Sequence, residues 1–363
     1  MPRPTRAIVD LDKLHRNYRR AAALADPGKA IAVVKANGYG HGIEAVATSL
    51  ASVAPRFAVA ILEEALALRA VVPRTPVLVM QGVYEPDEWL ACSQKNFIPA
   101  VHSPEQLDSL RAARLQGPVT VWIKVNTGMN RLGFPSGDVP RVLSALEAIP
   151  GVAVEALMTH FAQADEPDHP RTGDQLRVMA DLRSAFPEKS QSVANSAAHY
   201  TTRVGENEWT RPGIMLYGSG PLVRSTGAML GLEAVMTLES ALIAVRDLQP
   251  GDAVGYGADW CADRPTRMGI VAIGYGDGYP RAAPSGTPVA VGGRRTRLIG
   301  RVSMDMLAVD LGELPDAKPG DRVELWGSTV SVDDVAQASG TIGYELLTRV
   351  TSRVPRVLLS ASA

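Results

Sequence analysis

Cysteine is scarce in this 363-residue chain: Cys92 and Cys261 stand far apart with no paired spacing. That excludes a disulfide framework and a thiolate metal site, and it suits a reducing compartment. Charge of one sign is lacking too. With 37 basic and 38 acidic residues the net charge is -1, which leaves no basic face for nucleic acid. No apolar run approaches the roughly 18 residues of a membrane span. The start Met1-Pro-Arg-Pro-Thr-Arg has no apolar signal core. A cytoplasmic protein of small-molecule chemistry, bound to neither membrane nor nucleic acid and holding no metal, is expected.

What is present is a 46% apolar composition over a length that suits two domains. Eight short apolar runs, at 31–35, 57–61, 76–80, 97–101, 119–125, 152–160, 190–195 and 214–218, alternate with amphipathic stretches. Strands separated by helices imply parallel pairing with right-handed crossovers, and eight of them predict a closed (β/α)8 TIM-type barrel over residues 11–225. After Gly220 the texture changes to β-branched runs cut by glycine and proline, at 239–246, 269–273, 287–291, 296–308 and 323–326. These predict a smaller, mainly antiparallel β domain over residues 226–363. Residues 1–10, which alternate like a strand from Thr5, are a candidate addition to it.

Polar groups at the ends of barrel strands carry the chemistry. Lys35 closes the run Ile31-Ala-Val-Val and opens Lys35-Ala-Asn-Gly-Tyr39-Gly-His-Gly. Desolvation there lowers an amine's pKa towards the range where it attacks a carbonyl, which suggests a Schiff base; the plainer reading is a lysine snorkelling from a strand end. Lys124, inside Val121-Trp-Ile-Lys-Val125, needs an anionic partner. Thr159-His160 and Asn195-Ser196 end two further runs, although a core histidine and a helix N-cap would explain His160 and Ser196 singly. Arg211-Pro-Gly213-Ile214 brings a fixed charge and an approachable backbone. Its N–H groups at Gly213 and Ile214, with the Ser196 and Tyr39 hydroxyls, would cradle one phosphate. No Walker or dinucleotide fingerprint accompanies it, so a compact cofactor is expected. Tyr256 and Tyr275 lie in glycine-rich turns, and alone they read as turns with aromatic anchors.

The ordered motifs resemble the alanine racemase family over nearly the whole chain. They are Val34-Lys35-Ala-Asn-Gly-Tyr39-Gly-His, Lys124-Val-Asn-Thr-Gly-Met-Asn-Arg131-Leu-Gly, Thr159-His160-Phe, Asn195-Ser196-Ala-Ala, Arg211-Pro-Gly-Ile-Met-Leu-Tyr-Gly, Val254-Gly-Tyr256-Gly, Gly274-Tyr275-Gly-Asp-Gly-Tyr-Pro-Arg281, Gly300-Arg301-Val-Ser-Met304-Asp and Gly343-Tyr344-Glu.

The resemblance implies a pyridoxal 5'-phosphate enzyme interconverting L-alanine and D-alanine, built as a homodimer with shared active sites. It implies that Lys35 forms the cofactor aldimine and serves the D face, with Tyr256 of the partner subunit on the L face. Tyr39, Asn195, Ser196, Gly213, Ile214 and Tyr344 would hold the cofactor, Arg211 would face its ring nitrogen, and His160 would link Arg211 to Tyr256. Arg131 and Met304 would meet the substrate. Lys124 matches a lysine often carbamylated in the family. Tyr275, Arg281, Arg301 and Asp165 would line the substrate's access. Ser303 stands where many members have cysteine, and Gly38 where many have alanine. A decarboxylase of the same barrel type would want an acid in place of Arg211, and a non-catalytic cofactor carrier would lack the second domain.

Overall fold

The computed structural model describes residues 3–359; residues 1–2, in the segment expected to join the β domain, and 360–363, at the end of that domain's expected span, lie outside the described residues. Strands Ala32–Val33, Phe57–Val59, Val77–Val79, Phe97–Val101, Val119–Asn126, Val152–Met158 and Ser190–Ser192 pair in parallel in that order. Helices Ile43–Leu50, Leu62–Val71, Pro86–Lys95, Pro104–Ala112, Val139–Glu147 and Pro170–Ala185 form the crossovers. Their starts follow local chemistry: the Ser103 hydroxyl accepts from the Gln106 N–H, and Pro104 supplies a first residue that has no N–H to satisfy. Strands sealed beneath such helices are apolar on both faces, and Val121, Trp122, Ile123 and Val125 are all buried.

The eighth strand differs from expectation. The run at 214–218 forms a short 3-10 helix, Ile214–Tyr217, with all four residues buried. The circuit is closed instead by Trp209–Thr210, which pairs in parallel with Lys29–Ala30, while Glu208 bridges Gln191. The Ile31 N–H donates to Thr210 O at 2.9 Å and the Val33 N–H to Pro212 O at 3.1 Å. A helical turn buried all round and a buried strand give the same apolar run, so periodicity does not separate them.

The second domain turns on the 13-residue strand Met236–Leu248. From it an antiparallel circuit runs through Arg322–Trp326, Pro288–Val291, Arg294–Ile299, Leu307–Asp310 and Thr266–Val271 and returns to the same strand. The expected run 296–308 is thus two strands joined by a turn. Arg6–Asp10 adds to this sheet antiparallel to Met236–Leu248, and Arg356–Leu359 pairs in parallel with Arg6–Asp10. Among the described residues no helix is long and apolar enough to cross a membrane.

At the end of the first barrel where its strands begin, Arg56 donates to both Glu155 oxygens at 2.9 and 3.0 Å. The Trp122 indole N–H reaches the same carboxylate at 2.8 Å, and the guanidinium lies 4.2 Å from the Trp209 ring centroid. Three strands are tied by this plug. Arg56→Met should lower unfolding stability in urea by about 2–3 kcal/mol, because Glu155 loses its partner in a mostly sealed site. A loss below about 0.5 kcal/mol would show the plug to be incidental.

Candidate active site

The strand through Val33 ends with the Val34 N–H on Ala58 O at 2.9 Å, and the chain then reverses hand. Ala36 (φ 51°), Asn37 (φ 54°), Gly38 (φ 60°) and Tyr39 (φ 51°) form a left-handed turn directly after Lys35. Each non-glycine residue there costs about 1–2 kcal/mol, so the turn exists because its surroundings hold it. Glu64 accepts the Ala36 N–H at 2.7 Å, and the Asn37 side chain accepts the Ile43 N–H at 2.9 Å. Arg356 donates to Gly40 O at 3.0 Å. Helix Gly343–Arg349 packs so close that a Cβ on Gly40 would lie 2.0 Å from Leu347 O.

The turn buries Tyr39, whose ring stacks on Tyr217 with centroids 4.7 Å apart and approaches Tyr344 at 6.1 Å. A Cβ on Gly213 would stand 2.3 Å from the Tyr39 hydroxyl, and the Gly213 N–H donates to Ser196 Oγ at 2.8 Å. The Tyr39 and Ser196 hydroxyls and the Gly213 backbone therefore meet at one place, with Ile214 buried beside them. Asn195, not Ser196, supplies the helix cap: its Oδ1 accepts the Ala198 N–H at 3.0 Å. Asn195, His160, Asp165 and Tyr344 line one cleft of about 580 Å³.

Beside the cradle, positive groups gather. Burial lowers the Lys35 amine from its usual range, Arg131 lowers it further and Glu64 opposes both. Lys124 is pushed down to about 8 by burial and then by Arg211, Arg131 and Lys35. Among the described residues its ammonium reaches only Met80 O, at 3.4 Å. Arg211, buried and brought down to about 10 by desolvation, stays charged at neutral pH. Its partners are neutral: Ser192 Oγ, Thr159 O and Val193 O. His160 is held well below the ordinary imidazole value by burial and the same cations, so it is neutral.

The remaining expected site residues lie apart from this cluster in the single chain. Tyr256 is 69% exposed, Met304 52% and Tyr275 39%, all on the second domain. Arg281 and Arg301 are exposed there as well, Arg301 donating to Asp259 Oδ1 at 3.0 Å. Two functional groups escaped the sequence reading. Glu64 looks like an ordinary acid in a helix's first turn. Gln175, wholly buried, donates to His160 O at 3.0 Å and to Thr127 Oγ1 at 2.8 Å. A polar residue in helical step with the buried Thr172, Met179 and Leu182 was its signal.

Residues 9–221 match the alanine racemase N-terminal domain and residues 235–358 the alanine racemase C-terminal domain. The alanine racemase of Marinobacter nauticus is 54% identical over 359 residues, covering 98% of this chain and 99% of that protein. The chain belongs to the alanine racemase family. A crystal structure of the biosynthetic alanine racemase of Pseudomonas aeruginosa is similar with a TM-score of 0.95 and 48% identity, covering 99% of this chain and 100% of that one. That of the Bartonella henselae alanine racemase, described with covalently bound pyridoxal phosphate, matches at 0.87 and 28% identity over 99% and 100%. The two departures from the common alanine racemase pattern are physically mild. At Gly38, φ is +60° and a Cβ would lie 3.1 Å from Val46 Cγ2, so glycine relieves strain. Ser303 holds its turn through the backbone, its O accepting the Tyr275 N–H at 3.0 Å.

Buried neutral histidines make a pH prediction. His41 and His199 are pushed down to about 4 by burial, and His160 lies well below its ordinary value of 6.5. Below that value the unfolded chain takes up protons that the folded one does not. Stability should therefore fall as pH drops from about 6.5 to 4.5, by up to about 1.4 kcal/mol per unit for each histidine. His102 is lowered by burial as well, so His199→Gln should remove about a quarter to a third of that slope in urea melts; an unchanged slope would exclude His199 as a contributor.

Proposed function

We propose that the chain interconverts L-alanine and D-alanine, with pyridoxal 5'-phosphate held on Lys35. The observation that carries this reading is a desolvated amine one left-handed turn from a place where two hydroxyls and the Gly213 backbone meet. The residues suit the cofactor: a side chain at Gly213 would occupy the cradle, and the clustered cations want an anion. Tyr39, Ser196, Gly213, Ile214 and Tyr344 would hold the phosphate, with Asn195 beside them, and Arg211 would face the ring nitrogen. When bound, the cofactor supplies an electron sink that acidifies the proton on the substrate's α-carbon.

Racemisation takes that proton from one face and returns one on the other, so two bases must flank the carbon. Lys35 serves the D face; its depressed pKa keeps a fraction of the amine neutral and able to accept a proton. Tyr256 of the partner subunit serves the L face. To act as a base it must give up its phenolic proton, and the positive field of the cluster favours the resulting anion. Neutral His160 passes this field from Arg211 towards the tyrosine. Arg131 binds the substrate carboxylate while Met304 of the partner subunit packs beside it. Arg211 keeps its proton, and its neutral partners contain no carboxylate, which supports racemisation over decarboxylation. Two unpaired cysteines suit a cytoplasmic setting.

Exposure of Tyr256, Tyr275 and Met304 on the second domain supports a dimer. A two-fold pair would bring these to the other barrel's mouth, with Tyr275, Arg281, Arg301 and Asp165 along the access route. Co-expressing inactive Lys35→Ala and Tyr256→Phe subunits gives mixed dimers with one doubly lesioned site and one intact site. D-alanine formation should return to roughly a quarter of wild type under random pairing. Mixed dimers without activity would rule out the shared site.

Lys124 is read as carbamylated, because an ammonium among Lys35, Arg131 and Arg211 has no anion while a carbamate gives Arg131 one. The low pKa of about 8 leaves some amine free to react with carbon dioxide. Enzyme equilibrated with ¹³C-bicarbonate should show one carbamate carbon resonance that Lys124→Ala abolishes. A spectrum without it at neutral pH would overturn the assignment.

A further inference from the structure

The titratable and charged groups facing Lys35 come from four places: Glu64 on helix Leu62–Val71, Lys124 on strand Val119–Asn126, Arg131 on the loop that follows, and neutral His160 after strand Val152–Met158. Glu64 is the carboxylate among them. Its two oxygens are both used: Oε1 accepts the Ala36 N–H at 2.7 Å and Oε2 the Ala60 N–H at 2.8 Å. An acid at the third position of a helix commonly reaches back to the start of its own helix. The Ala60 contact fits that habit, and the Ala36 contact does not. It reaches another strand end, at the first left-handed residue, one peptide beyond Lys35.

We propose that Glu64 is a positioning residue for Lys35, fixing the backbone on which the amine stands and supplying the negative charge that faces it. The proposal rests on the reading of Lys35 as the cofactor-bearing base. One carboxylate ties the ends of two neighbouring barrel strands, Ala32–Val33 and Phe57–Val59, at the point where the turn begins. A charge-assisted hydrogen bond to Ala36 N–H offsets part of the cost of the left-handed angles. The same charge opposes the burial and the Arg131 field that depress the amine. Glutamine keeps the size but puts an NH2 donor against one of the two N–H groups, so it loses both the bridge and the charge.

The test uses the full-length chain freed of cofactor, so it does not depend on turnover. Competitive acetylation over about pH 6 to 10, read on the Lys35 peptide by mass spectrometry, gives the midpoint at which the amine becomes reactive. Glu64→Gln should shift that midpoint down by about half a unit or more. Glu63→Gln, an exposed carboxylate one residue away, should leave it in place. Glu64→Asp keeps the charge and shortens the reach, so the midpoint should stay while amide exchange at Ala36 and Ala60 speeds up several-fold. A Glu64→Gln midpoint equal to wild type overturns the proposal. Should that variant not fold, unaltered exchange at both amides in Glu64→Asp overturns it instead. Borohydride reduction of the loaded wild-type enzyme, mapped by peptide, checks the underlying reading separately. A tag on another lysine would sink the cofactor role of Lys35, while the acetylation and exchange results would still judge Glu64.

Discussion

A left-handed turn of four residues, Ala36 to Tyr39, is the conformation on which the site depends. At about 1–2 kcal/mol for each of its three non-glycine residues it would unwind in isolation. It persists because groups from distant parts of the chain converge on it. Glu64 accepts the Ala36 N–H, Asn37 ties the turn to the next helix by accepting the Ile43 N–H, Arg356 donates to Gly40 O just past the turn, Tyr217 stacks against Tyr39, and Leu347 presses on Gly40. What this strain produces is a short stretch of chain between the desolvated Lys35 amine and the Tyr39 hydroxyl held against Gly213. A right-handed helix starting at Lys35 would put Tyr39 one turn above it on the outer layer.

Charge is the second constraint. Four basic side chains, Lys35, Lys124, Arg131 and Arg211, gather at the barrel mouth; the depressed pKa values of Lys35 and Lys124 report burial first and their neighbours second, and that of Arg211 reports burial. Such a cluster destabilises the chain by itself. It becomes favourable when a phosphate, a phenolate or a carboxylate enters, so the same repulsion that costs stability gives affinity for anions. Arg211 is secured by a hydroxyl and main-chain carbonyls rather than by a carboxylate, which leaves its positive charge undiminished for the pocket.

The sequence carried the strand ends well because their chemistry is local. Lys35, His160, Ser196 and Arg211 interrupt apolar runs, and an interruption is visible without coordinates. The eighth strand was misplaced because Ile214-Met-Leu-Tyr217 is apolar throughout, while the true closing strand, Trp209–Thr210, is two residues long. The run 296–308 hid a turn because Val302 is buried like its strand neighbours. Glu64 was invisible for a different reason. Its neighbour Glu63 is solvated, and nothing in a pair of acids says that one of them reaches across to another strand.

The second domain acts in two directions. Helix Gly343–Arg349 braces the left-handed turn of its own chain, and Asp333 fastens the connection out of the barrel by accepting from Ser219, from the Gly220 N–H at 3.0 Å and from the Gly227 N–H at 2.8 Å. The face that bears Tyr256, Tyr275 and Met304 remains open. If a base is delivered by a second subunit, its accuracy depends on how rigidly that subunit's own domains are joined. Proton transfer tolerates errors of well under an ångström before its rate falls. In such a dimer the Asp333 clamp and the packing around Gly40 would serve the neighbouring site as much as their own, since each would fix the angle at which the exposed tyrosine is presented.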